Sequence, residues 1–157
     1  SGSGEEVRGY MRQLSETGKY TVSDRVLRAV QAEFSCGFCT DAQGAQTIGK
    51  TFRENHYLLD THTAVACTVL DAYRSGTGDQ TLTVVESTAS PFKFCASVLD
   101  ALGVTEHAPG TGVLGQLTAE TGRPAPTPLA SLAGKPVRFD QVTDRGDMRA
   151  VVTEFLR

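Results

Sequence analysis

Along the first third of the chain, apolar residues return every three or four positions. Val7, Tyr10, Met11 and Leu14 mark one face of a helix from Glu5 to about Thr17, and Gly18 stands where such a helix would end. Val22, Val26, Val30 and Phe34, four apart, with Leu27 and Ala29 alongside, give a second helix one apolar stripe and an end near Glu33. After the turn "SCGFCTD", Thr40 and Gln43 fit a capping box. Ala45, Ile48 and Phe52 then form the apolar face of a third helix ending near Asn55.

The pattern changes after "HYLLD". Asp60 is placed to cap a helix from about Thr61 to Arg74, with Gly76 past its end, and the small residues Ala64, Ala66 and Cys67 predict close packing against a neighbour. "TLTVVE", Thr81 to Glu86, is dense in β-branched residues with no polar alternation, which predicts a strand buried on both faces of a parallel sheet. "STASP" follows at once. Ser90 can cap and Pro91 suits the first helical position, so "PFKFCASVLDALG" reads as a helix closed near Gly103. The Gly/Pro-rich remainder holds short helical pieces around Gln116 to Glu120 and Pro128 to Leu132. Met148, Val151, Val152 and Phe155 form a last helical stripe.

The expected fold class is therefore α/β, a mostly helical chain with at least one buried strand at 81–86. A lone strand needs partners, which points to a remainder outside this chain. The implied organisation is a tag or linker "SGSG" at 1–4, a helical lead-in at 5–57, a helix-strand-helix segment at 58–104, and a C-terminal segment with a final helix at 105–157.

Composition narrows the partners. A chain of 157 residues can bury a core without staples, so its four cysteines need not be structural, and without a leader they are expected as free thiols. No run of about 18 apolar residues and no basic-then-apolar leader occurs, so neither a membrane span nor a secretory signal is expected, and a cytoplasmic setting is the default. A net charge of -3 with mixed signs leaves no electrostatic footprint for nucleic acid.

Three motifs carry candidate chemistry. Cys36-Gly-Phe-Cys39 admits a dithiol redox couple, half of a zinc site, or small residues at a packed turn. A thioredoxin-type pair sits where a strand feeds a helix, whereas Cys36 follows a helix. A zinc site needs two more ligands, but Cys67 and Cys95 lie unpaired in two predicted helices, and His56, His62 and His107 form no local pair. The packed turn is the favoured reading. "GTGVLG", Gly110 to Gly115, matches the dinucleotide fingerprint literally but follows "TEHAP", which is no strand, and reads as a turn. The better candidate is the loop after 81–86. Ser87, Thr88 and Ser90 place three hydroxyls before a helix N-terminus, Lys93 adds a cation, and His62 and Thr63 stand at a second helix start.

"LLDTHTAVACTVLDAY" resembles the threonine synthase pattern D-P-H-T-A-V-A, and "TVVESTASPFKFCASVLDALG" resembles that family's S-T-A-x-P-x-K-F stretch, in the expected order and spacing. The lead-in from Val7 to Phe52 is also similar, so the resemblance covers most of Glu5 to Gly103. It implies the C-terminal portion of a fold-type II enzyme that uses pyridoxal 5'-phosphate to convert O-phosphohomoserine and water to threonine and phosphate. It implies Thr88, with Ser87 beside it, as cofactor contacts, Thr88 being the hydroxyl partner of the pyridine nitrogen. It implies Lys93, His62 and Thr63 on the substrate side. It also implies that the Schiff-base lysine and the Gly-rich phosphate loop lie upstream, since none of Lys19, Lys50, Lys93 or Lys135 sits in a matching lysine motif. The isolated chain is then expected to be inactive, to bind no cofactor alone, and to be capable of self-association. Thr61 departs from the family's usual proline. Two other readings stay open: a free-standing, non-catalytic binding or regulatory module, and a dithiol redox protein resting on Cys36 and Cys39.

Overall fold

Local capping chemistry starts each of the first four helices. In the computed structural model, which describes residues 1–156, α1 spans Gly4–Thr17, capped by the Ser3 hydroxyl, which accepts from the Glu6 amide, and closed by Gly18 at φ 74°. Helix α2, Asp24–Glu33, starts from Ser23 in the same way. Helix α3, Asp41–Asn55, opens on the expected capping box: the Thr40 hydroxyl accepts from the Gln43 amide, and the Gln43 side chain accepts from the Thr40 amide at 2.8 Å. Helix α4, Thr61–Thr77, starts at Asp60 as expected but runs past Gly76 to end at Gly78, whose φ of 73° supplies the left-handed closure.

The helix expected from Pro91 is broken. Ser90 caps a single 3₁₀ turn, Pro91–Lys93, and the chain kinks at Phe94 before α5, Cys95–Ala101. The kink lets both Phe92 and Cys95 face inward. Helix α6, Gly112–Thr121, takes up the second half of "GTGVLG", with Gly110 in the preceding turn at φ 54°. Helix α7 is the short piece Thr127–Ala130, continued by a 3₁₀ turn at Ser131–Gly134, and α8 is Met148–Phe155.

The core lies between α3, α4, α5 and α6. Ile48, Leu58, Leu59, Ala64, Phe92, Cys95, Val98, Leu99 and Leu117 form one buried cluster. Small residues let the helices approach. Ala64 is fully buried, Thr47 and Thr68 share a hydrogen bond of 2.7 Å across the α3–α4 seam, and Gly49 faces the carbonyl of Ala101 on α5. Arg123 reaches back to donate to the His56 carbonyl at 2.6 Å, fastening the segment after α6 to the end of α3. Helices α1, α2 and α8 contribute little to this core. Val26 is the one buried residue of α2, and α1 and α8 bury none.

The α/β expectation is corrected: the described residues contain no strand, and the fold is all-helical. Residues 81–86 run as irregular chain over the surface, with Leu82 92% and Val84 85% exposed. The β-branched pattern marks a segment that suits a pleated, packed surface, and no neighbouring strand is there to supply one. Arg74 on α4 instead donates to the Thr81 carbonyl at 3.0 Å and to the Thr83 hydroxyl at 3.2 Å. No helix among the described residues is long and apolar enough to cross a membrane.

Candidate functional site

The N-terminus of α4 and the loop after residue 86 meet at Asp60. This carboxylate is 1% exposed, and all of its partners are hydroxyls and amides apart from the His62 ring. Its Oδ1 accepts from the His62 amide at 2.8 Å and the Thr63 amide at 3.3 Å, which is ordinary helix capping. Its Oδ2 accepts a short hydrogen bond from the Thr63 hydroxyl and a longer one, 3.4 Å, from the Ser87 hydroxyl. The Thr63 and Ser87 hydroxyl oxygens are themselves 3.1 Å apart.

Burial alone would raise the Asp60 pKa. The bonds from the Thr63 hydroxyl and from the His62 and Thr63 amides outweigh it, and the carboxyl is held below the usual range. Asp60 is thus an anion at neutral pH, buried and almost wholly solvated by protein dipoles. The His62 ring contributes an Nδ1 at 3.3 Å from Oδ1 and packs against Phe94 with ring centroids 5.0 Å apart. His62 itself is solvent-facing.

The residues singled out from the sequence divide accordingly. Thr63, His62 and Ser87 are brought together around Asp60. Thr88 is exposed beside Ser87, and no hydrogen bond ties its hydroxyl to the other described residues. Ser90 is spent on capping, its hydroxyl accepting from the Phe92 amide at 3.3 Å. Lys93 is exposed on the 3₁₀ turn, as are Lys19, Lys50 and Lys135 in their own places. Asp60 is legible in the sequence only as a cap. Its second role, linking two segments, shows only in the fold.

Cys36 and Cys39 lie elsewhere, on the turn between α2 and α3. Gly37 rests on α4 so closely that a Cβ there would meet Val69 Cγ1 at 2.8 Å. The turn and α4 enclose a shallow apolar depression of about 430 Å³ lined by Phe38, Val69, Leu70 and Tyr73 among others. All four cysteines are free thiols, Cys36 exposed and Cys95 buried. No group of three or more potential metal ligands occurs among the described residues.

The α-helical core thus pins a hydroxyl-rich loop to a buried helix-capping aspartate. The family model described as "Threonine synthase, C-terminal" matches residues 63–153, more than half of the chain, and the chain belongs to that family. It is 28% identical over 105 residues to a threonine synthase of Saccharomyces cerevisiae, a match covering 64% of this chain and 20% of the yeast protein. It is 33% identical over 82 residues to threonine synthase-like 1 of Mus musculus, covering 52% of this chain and 10% of that one. Its fold matches a crystal structure of pyridoxal-phosphate-bound threonine synthase from Brucella melitensis with a TM-score of 0.52 and 30% identity, over 76% of this chain and 24% of the other. The chain thus spans a tenth to a quarter of the relatives it matches. It corresponds to their C-terminal part.

Proposed function

We propose that this chain serves as the C-terminal part of a pyridoxal-phosphate-dependent threonine synthase, a carbon–oxygen lyase whose whole chain converts O-phosphohomoserine and water to threonine and phosphate. The observation that carries the reading is the convergence of His62, Thr63 and Ser87 on Asp60, which makes one site of the two segments that carry the family's motifs. The printed name of the Brucella neighbour supports pyridoxal phosphate as the cofactor.

The residues present fit that group. Thr88 offers an exposed, uncharged hydroxyl with no hydrogen bond to the other described residues, on a loop held through Ser87. Such a hydroxyl can hydrogen-bond a pyridine nitrogen as donor or acceptor, without imposing a charge on it. When bound, the cofactor supplies the electron sink for the reaction. Ser87 turns its hydroxyl toward Asp60 and fixes the loop. Lys93 supplies a positive charge for a phosphate, and His62 and Thr63 form the wall at the α4 N-terminus. The Schiff-base lysine is assigned to another part of the whole protein, since none of Lys19, Lys50, Lys93 or Lys135 sits in a matching lysine motif.

The segments 5–57, 58–104 and 105–157 are proposed as the lead-in, the cofactor-facing unit and the C-terminal extension of that enzyme. A cytoplasmic setting belongs to the same proposal. In isolation the chain would self-associate through its uncovered apolar residues, Leu82, Val84 and Phe38 among them.

The test reads the coding frame upstream of Glu5 and assays phosphate release. An open frame encoding a lysine motif and a Gly-rich phosphate loop, with turnover of O-phosphohomoserine by the whole product and none by the 157-residue chain, is the expected result. A frame that starts at the chain, or a whole product without turnover, overturns the reading in favour of a non-catalytic binding or regulatory module.

A further inference from the structure

We infer that Asp60 is a positioning residue for the cofactor, acting through Ser87 to hold the Thr88 loop, an inference that rests on the assignment of that loop to the pyridoxal-phosphate site. A helix needs no buried aspartate for its cap. Ser, Thr or Asn would satisfy the same amides at an exposed position, and three other helices of this chain are capped by Ser3, Ser23 and Thr40. At α4 the chain instead buries an anion, a costly choice unless every lone pair is used. One oxygen is used on the helix. The other is used on hydroxyls, and one of these, Ser87, belongs to a loop 27 residues away.

Ser87 has one covalent neighbour of consequence, Thr88. Residues 81–86 before it are irregular and mostly exposed, and Arg74 holds them at Thr81 and Thr83, four or more residues short of Ser87. After it, Ser90 and Phe92 anchor the 3₁₀ turn, with Phe92 in the core. Between Thr83 and Ser90 the loop is held at Ser87, by Asp60 Oδ2 at 3.4 Å and by the Thr63 hydroxyl at 3.1 Å, which Asp60 itself orients. Removing the carboxylate loosens the Thr88 hydroxyl on the span between Arg74's hold on Thr83 and the Ser90 cap. A group expected to meet one ring nitrogen gains most of its value from being held in place beforehand.

Serine separates the two roles of Asp60. Its hydroxyl oxygen can still accept from the amides at the start of α4, but it has no second oxygen for the Thr63 and Ser87 hydroxyls. Backbone ¹⁵N relaxation on the 157-residue chain then reads the tether. For Asp60→Ser and for Ser87→Ala, order parameters at Ser87 to Ala89 are expected to fall from the rigid value of about 0.85 toward 0.6, while α4 keeps its values. Ser87 is exposed, so Ser87→Ala folds even if Asp60→Ser does not. In the whole enzyme, each variant is expected to weaken pyridoxal-phosphate affinity about tenfold, with the double variant no worse than the weaker-binding single one, because both cut one linkage. Unchanged order parameters in Ser87→Ala overturn the inference at the tether itself. A loosened loop with unchanged cofactor affinity overturns it at the assignment of the loop to the cofactor, and an additive double variant shows two separate effects and overturns it as well.

Discussion

Gly49 on α3 and Ala101 on α5 meet backbone to backbone: a Cβ at position 49 would stand 2.6 Å from the Ala101 carbonyl oxygen. Gly49 is helical with ordinary φ, so alanine there should gain about 1 kcal/mol of helix propensity. The overlap with a carbonyl oxygen cannot be relieved by rotating a side chain, and separating α3 from α5 loosens Ile48, Val98 and Leu99. Gly49→Ala is expected to destabilise the chain by about 1–3 kcal/mol net, read from urea unfolding. A neutral or stabilising result would show that the helices stand further apart than described.

Asp60 sets part of the acid response. Its folded pKa lies below the unfolded value, so the unfolded chain binds the proton first as pH falls. Its stabilising contribution is complete above about pH 4 and is lost as pH drops through the folded pKa. Glu6 and Asp79 are lowered as well, through bonds from Tyr10 and Thr81 first among others, but both are at the surface. Wild type is therefore expected to lose stability more steeply below pH 4 than Asp60→Asn, which starts about 1–3 kcal/mol lower at pH 7. Parallel pH curves for the two proteins would refute this.

The four thiols should react in order of exposure. Cys36 is open to solvent and Cys39 half-buried. Burial pushes the Cys67 thiol up, with Asp71 and Asp60 adding to it, and burial pushes Cys95 up too. Cys95 also donates to the Phe92 carbonyl at 3.2 Å. Mass-resolved alkylation at pH 8 is expected to label Cys36 first and Cys95 only on unfolding. Early labelling of Cys95 would contradict the packing of α5.

Leu82 and Val84 should behave as surface residues. Leu82→Lys and Val84→Lys are expected to change unfolding free energy by no more than about 0.5 kcal/mol and to reduce any self-association seen by light scattering. A loss of several kcal/mol would place the segment in a core after all.

Local rules carried far in this chain, and long-range ones did not. The Thr40–Gln43 capping box, the Asp60 cap and the ends of α1 and α2 follow from residues within four positions of each other, and the structure has them. The end of α4 turns on which of two nearby glycines takes the left-handed conformation, Gly78 rather than Gly76, and α3 is closed by a left-handed His56 at φ 54°. The kink at Phe94 serves the core, turning Phe92 and Cys95 inward. The strand expected at 81–86 failed for a longer-range reason: its pattern describes a preference for partners, and the described residues supply none. At the site, His62, Thr63 and Ser87 were legible as residues near helix starts, with a family resemblance to draw them together. That a single buried carboxylate joins them was not, because the contact spans 27 residues and leaves no local trace.

The measurement that bears most directly on the central claim is the affinity and absorption spectrum of pyridoxal phosphate in the whole enzyme carrying this chain, wild type against Thr88→Val. Valine keeps the shape of threonine and removes the hydroxyl, and Thr88 is exposed, so folding is preserved. A shifted absorption band with cofactor binding weakened about tenfold is the expected result. An identical spectrum and affinity would contradict the placement of this loop at the cofactor.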